Sequence, residues 1–286
     1  MNISNNFFSS VIPRMEDAYV DWPYMEPALL EPFSFEIFDL SRSRKWFWQN
    51  WTLTLYISVA YVVLIWLGQR WMMDRQPFNL RPLLTLWNFG LAIFSAVAFA
   101  RIIPEFAHVL HGQNGFHRSV CVRDALNPSS AWWAMAFSVS KLVELLDTVF
   151  IVLRKTPLIF LHWYHHMATL IVCWMSYPQA EPIFRYVGSM NLFVHSIMYT
   201  YYGFKAMTFN PPRKLAMMIT LLQLSQMFIG LVVNLYAIYV KSSGQECARS
   251  DENIRVQMWI YASYLVLFVK YFYQSYFSSP KKFKSS

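Results

Sequence analysis

Charge is what this sequence has least of. Of its 286 residues only 14% are charged, against 56% hydrophobic and 19% aromatic. A soluble domain averages roughly 25% charged residues. The deficit excludes an ordinary soluble fold and points to a polytopic membrane protein. Cysteine is scarce too: Cys121, Cys173 and Cys247 are the only three. That number excludes a disulfide scaffold and a four-cysteine zinc site, and leaves room for one bridge. The N-terminus lacks a cationic, apolar, small-residue leader, so targeting is expected to fall to the first span. Neither a short repeat nor a low-complexity segment is present.

The net charge is +8, but the basic residues fall in short groups between apolar runs. Nucleic-acid binding would need them clustered among soluble aromatics. Their dispersal suits topology control and contact with anionic head groups or phosphorylated substrates.

Apolar stretches near the 20 residues that a bilayer core requires occupy 53–71, 82–103, 131–153, 158–177, 183–206, 215–239 and 256–277. The expected fold is therefore all-α, with seven transmembrane helices. Residues 1–50 form a lead, 51–277 the membrane domain and 278–286 a basic tail. The connections after spans one, three and five carry Arg70, Arg75, Arg81, Arg154, Lys155, Lys205, Arg213 and Lys214. The positive-inside rule places them in the cytosol with the tail, and the N-terminus in the lumen. Cys121 and Cys247 then lie in two non-cytosolic loops, where oxidation is favoured, so a bridge between them is expected. Cys173 reads as a small buried hydrophobe. Asn2 opens a formal glycosylation sequon. Lys282 and Lys284, near the C-terminus, resemble a di-lysine signal for retrieval to the endoplasmic reticulum.

Polar residues inside the spans carry the chemistry. Each charge near a helix centre costs about 2.5–3.5 kcal/mol on insertion scales. In the third span Lys141, Glu144 and Asp147 recur at i, i+3, i+6, with Thr148 next, a spacing that lines one face. An ion-pair ladder holding helices in register is one reading of them, and a site is the other. The fourth span opens with His162, His165 and His166, again on one face. These could ligate a metal or serve as nucleophile and acid–base groups. Of seven histidines in the chain, His108, His111 and His117 fall on the opposite side. His162, His165, His166 and His195 remain, too few for a di-iron desaturase or hydroxylase without carboxylate substitutes. A single metal on three histidines and a carboxylate stays open. In the fifth span Asn191, His195, Tyr199 and Tyr202 share a face, and in the sixth Thr220, Gln223 and Gln226 do.

Four motifs in this order, Lys141-x-x-Glu-x-x-Asp-Thr148, His162-x-x-His-His166, His195-x-x-Met-Tyr-x-Tyr-Tyr202 and Thr220-x-x-Gln-x-x-Gln226, resemble the ELO family of very-long-chain fatty acid elongases of the endoplasmic reticulum. The resemblance covers roughly residues 30–280. It implies six helices ringing a narrow acyl tunnel, with the first span outside. It also implies condensation of a long-chain acyl-CoA with malonyl-CoA to a 3-oxoacyl-CoA, with no cofactor. Trp163 and Tyr164 in the box resemble the subgroup acting on saturated and monounsaturated chains. His165 is the expected nucleophile, with His162, His166 and Asp147 orienting it or moving its proton. His195, Asn191 and Tyr199 would serve oxyanions. Lys141, Glu144, Tyr202 and Gln226 would line the substrate, and Arg154 and Lys155 would meet the CoA phosphates. Expected partners are membrane lipid, the other enzymes of the elongation cycle and a second copy in a homodimer. A seven-span receptor or channel is the reading from another class, and it leaves the polar cluster without work.

Overall fold

The computed structural model describes residues 29–123 and 126–278. Asn2, Lys282 and Lys284 lie outside the described residues. Among the described residues the fold is all-helical, with no strand. A 3₁₀ turn at Ser34–Glu36 leads into α1 (Leu40–Asn50), α2 (Leu53–Met72), α3 (Arg81–His111), α4 (Gly115–Cys121) and α5 (Pro128–Val143). There follow α6 (Leu146–Leu153), α7 (Phe160–Ser176), α8 (Phe184–Ala206), α9 (Arg213–Ser242) and α10 (Asp251–Tyr276). By length and composition α2, α3 and α9 can each cross a bilayer. At 1.5 Å per residue, a helix the length of α3 spans roughly 46 Å, beyond the ~30 Å apolar core.

The helix pairings close on themselves. Helix α3 packs on α8, α8 on α9, α9 on α10, α10 on α7, α7 on α5, and α5 back on α3, while α2 packs on α6 and α7. The α9–α10 approach is close because Gly230 has no side chain: a Cβ there would collide with the Tyr261 ring. Small residues let backbones approach in this way where helices pack in lipid.

Within the N-terminal lead, Leu40–Asn50 forms α1, capped by the Asp39 carboxylate on the Arg42 amide. One expectation is corrected. The third apolar stretch is not one helix but two, separated by a turn at Glu144–Leu145. The backbone tightens there: Leu145, Asp147 and Thr148 donate to the carbonyls three residues back. Ser140 Oγ also bonds Phe137 O and Glu144 Oε1. A 3₁₀-like turn eclipses positions i and i+3, which brings Lys141, Glu144 and Asp147 into closer register than an α-helix would.

The end of the bundle remote from the histidine box is held by buried ion pairs. Arg249, 1% exposed, donates to Glu181 at 3.0 Å, Asn234 at 2.8 Å and Gln257 at 2.9 Å. Arg185 pairs with Glu105 at 3.2 Å, and Glu105 also accepts the Asn127 amide. Glu36 accepts from Arg101, Ser129, Trp133 and the Phe33 amide. Burial raises the Glu36 pKa, but these donors, Arg101 foremost, outweigh it and hold the carboxyl at about 2. At the same end Cys121 and Cys247 are joined by a disulfide. Beside it the Ala248 amide bonds the Cys121 carbonyl.

Candidate active site

Helices α5 to α8 bring the motif residues together. Lys141, 3% exposed, donates to Glu144 Oε1 and to Asn191 Oδ1, both at 2.8 Å. The pair is nearly dry, and in such surroundings a charge survives only when paired and hydrogen-bonded. Asn191 Nδ2 lies 3.1 Å from His195 Nε2, and His195 Nδ1 lies 3.8 Å from Glu144 Oε2. An amide NH₂ can only donate, so Asn191 places the His195 proton on Nδ1, facing Glu144. The cation, carboxylate, amide and imidazole form one closed circuit.

Asp147 is held separately. Its Oδ1 accepts the Trp87 indole N–H at 2.6 Å, and its Oδ2 accepts the Tyr199 hydroxyl at 2.7 Å. His166 Nε2 stands 3.9 Å from the same Oδ2. Both hydrogen-bond donors to Asp147 are neutral, so a proton arriving on His166 would find an unneutralised carboxylate beside it.

The box is tightly stacked. The rings of His162 and His166 lie 4.4 Å apart, and those of His165 and His166 lie 5.7 Å apart at 88°. The His165 ring rests against Tyr264 at 4.9 Å. Its carbonyl accepts the hydroxyls of Thr169 and Tyr264. That fixes the backbone, while neither His165 ring nitrogen hydrogen-bonds a described residue. Among the described residues no three His, Cys, Asp or Glu side chains are grouped to share a metal ion.

His165 also lines a cavity of ≈ 130 Å³, together with Lys141, Asn191 and Gln226. The walls continue through Phe137, Cys173, Met227 and Tyr261 to Glu181, Arg185 and Gln257 near the buried ion pairs. The cavity thus runs from the box toward the opposite end of the bundle.

The other expected site residues are more dispersed. Tyr202 is 44% exposed and packs on Tyr201, whereas Tyr199 is buried on Asp147. Tyr199 has spent its one proton there, so it positions a carboxylate and is not a free oxyanion donor. Arg154 closes α6, and Lys155, in left-handed backbone (φ 52°), donates to the carbonyls of Met73 and Arg75. Those two bonds tie the loop after α6 to the end of α2 and leave one ammonium proton for another partner. His117 bonds Tyr236, and His111 bonds the Ala107 carbonyl, both away from the box. Sequence reasoning missed Trp87, Tyr61 and Tyr264. They belong to no spacing pattern and reach the site only through helix packing.

Comparison with known proteins gives the family. Residues 46–284 match the ELO family, described as the GNS1/SUR4 family. The chain is 46% identical over 239 residues to very long chain fatty acid elongase 6 of Drosophila melanogaster, covering 82% of this chain and 75% of that protein. It is 39% identical to human very long chain fatty acid elongase 3, over 90% of this chain and 94% of the relative. It is 38% identical to human very long chain fatty acid elongase 6, over 90% and 97%. The chain belongs to the ELO family.

Proposed function

We propose that the protein is a fatty acid elongase: it condenses a long-chain acyl-CoA with malonyl-CoA to a 3-oxoacyl-CoA two carbons longer, releasing CO₂ and CoA. The observation that carries this is His165, an imidazole with unengaged nitrogens on the wall of a long cavity shared with Lys141 and Asn191. A nitrogen of His165 attacks the thioester carbonyl, and the C–S bond breaks. The imidazole proton passes to the departing thiolate by way of His166, which Asp147 pairs while it is charged. The acyl-imidazole stays activated. Malonyl-CoA then loses CO₂, and the electron pair of the broken C–C bond becomes an enolate. Its carbon attacks the acyl carbonyl, the C–N bond breaks, and the departing imidazole nitrogen takes up one proton from solvent by way of His166, which restores His165. His195 and the second N–H of Asn191 face the developing oxyanions. Family membership lends no support to the desaturase and receptor readings.

The same reading covers the setting. Seven spans cross the endoplasmic reticulum membrane, with the N-terminus lumenal. Six of them surround an acyl tunnel; the closed chain of helix pairings supports this. Arg154 and Lys155 meet the CoA phosphates, and the acyl chain runs toward Glu181 and Gln257. The Trp163–Tyr164 box favours saturated and monounsaturated chains. Other enzymes of the elongation cycle supply and consume the acyl-CoAs, a homodimer is the assembly, and Lys282 and Lys284 serve retrieval.

Purified protein with palmitoyl-CoA and labelled malonyl-CoA should release CO₂ and form a 3-oxo product. Folded protein that does neither would defeat the reading. Intact mass should show an acyl adduct that His165→Ala abolishes. An undiminished adduct would move the role to another histidine.

A further inference from the structure

Helix α2 packs outside the closed chain of helices, yet one of its side chains reaches the histidine box. Tyr61, 8% exposed, places its hydroxyl 2.6 Å from Thr148 Oγ1. Thr148 Oγ1 in turn lies 3.1 Å from His162 Nε2. Two hydroxyls and an imidazole thus form a buried chain ending 4.4 Å, ring to ring, from His166.

Only one direction of that chain leaves both hydroxyl protons partnered. If Tyr61 donates to Thr148, Thr148 donates to His162 Nε2, and each O–H has an acceptor. In the reverse direction His162 Nε2–H donates to Thr148, Thr148 donates to Tyr61, and the Tyr61 proton points at no acceptor among the described residues. A buried donor left unsatisfied costs about 1–3 kcal/mol; the proton left over is on buried Tyr61 in the reverse direction and on the half-buried His162 ring in the first, which favours the first.

We propose that Tyr61 is a positioning residue for the histidine box: through Thr148 it holds His162 in the tautomer protonated on Nδ1, with Nε2 as an acceptor. The consequence is a division of labour. His162 Nε2 is occupied and cannot attack a thioester, so the reactive imidazoles are His165 and His166. The fixed His162 ring gives His166 a wall to stack on, opposite Asp147. Only this catalytic consequence rests on the elongase reading; the tautomer does not.

The test is histidine ¹⁵N NMR on the full chain in lipid nanodiscs, with His162 assigned from the resonance lost in His162→Asn. The wild type should show Nδ1 protonated and Nε2 unprotonated. Tyr61→Phe should populate the Nε2–H form, because the Thr148 hydroxyl is freed to accept. Thr148→Val should do likewise, and Thr148→Ser should keep the wild-type spectrum. In turnover, Tyr61→Phe should lower kcat about tenfold with KM unchanged. Thr148→Ser should retain wild-type kcat. A wild-type proton on Nε2, or a Tyr61→Phe spectrum identical to wild type, overturns the proposal. If Tyr61→Phe does not fold, the wild-type and Thr148→Ser spectra still decide it. Protein inactive on both CoA substrates but showing the expected spectra would sink the elongase reading and leave the tautomer standing.

Discussion

The indole of Trp87, on α3, donates to Asp147 Oδ1 at 2.6 Å, 60 residues away in sequence. With Tyr199 on the other oxygen, it fixes the plane of the carboxylate that faces His166. Trp87→Phe keeps the ring and removes the donor. The carboxylate would turn or draw in water, so kcat should fall by about tenfold, the worth of roughly one hydrogen bond near 1.4 kcal/mol. Melting temperature should change little. Steady-state kinetics beside a thermal melt checks this, and unchanged kcat would show that Tyr199 alone orients Asp147.

Lys141 and Glu144 make a different prediction because neither has water to fall back on. Lys141→Met strands the Glu144 carboxylate and should destabilise the protein by about 3–5 kcal/mol. The double variant Lys141→Met with Glu144→Gln removes both charges and should regain most of that stability. It should remain inactive, since Asn191 and His195 lose the groups that orient them. A double variant no more stable than the single would mean the pair is not the source of the cost.

How far the site was legible follows from where its parts lie. Helical spacing put His162, His165 and His166 on one face and Asn191, His195 and Tyr199 on another, and the fold brings His162 and His166 to Thr148 and Asp147, Asn191 and His195 to the Lys141–Glu144 pair, and Tyr199 to Asp147. Such contacts are local and periodic. The break at Glu144 was not legible, because its cause is a set of three-residue backbone bonds within a uniformly apolar run. Trp87 and Tyr61 were hidden for another reason: their partners lie 60 and 87 residues away, and nothing in an apolar span separates them from any other aromatic. Arg249 stands in no motif and no helical spacing pattern. Folding withdraws Arg249 fully from solvent, which depends on three segments meeting.

Glu36 makes stability depend on pH. Its folded pKa of about 2 lies below the ordinary 4.5. A depressed carboxyl contributes stability that is complete above the unfolded value and is lost as pH falls through the folded one. The difference in melting temperature between wild type and Glu36→Gln should therefore be constant above pH 4.5 and close progressively toward pH 2. Parallel melts across that range check it. A gap that persists unchanged at the acid end would mean that Glu36 acts by packing alone.

Arg249 is the most demanding residue at the far end of the bundle. Its guanidinium serves Glu181, Asn234 and Gln257 in three directions, and Arg123 approaches Glu181 only at 3.5 Å. Lysine carries the charge but not the fork. Arg249→Lys should thus recover the Glu181 pairing and lose the others, while Arg249→Met leaves Glu181 only the Ser250 amide and the distant Arg123, and leaves two amide oxygens unsatisfied. The expected order of stability is wild type, then Lys, then Met, with Met about 3–5 kcal/mol below wild type. Because Glu181 and Gln257 also line the cavity, the Lys variant should admit longer acyl chains than wild type before it unfolds. Product profiles across acyl-CoA lengths, taken at a temperature where both proteins are folded, measure that shift. Identical profiles would confine Arg249 to stability.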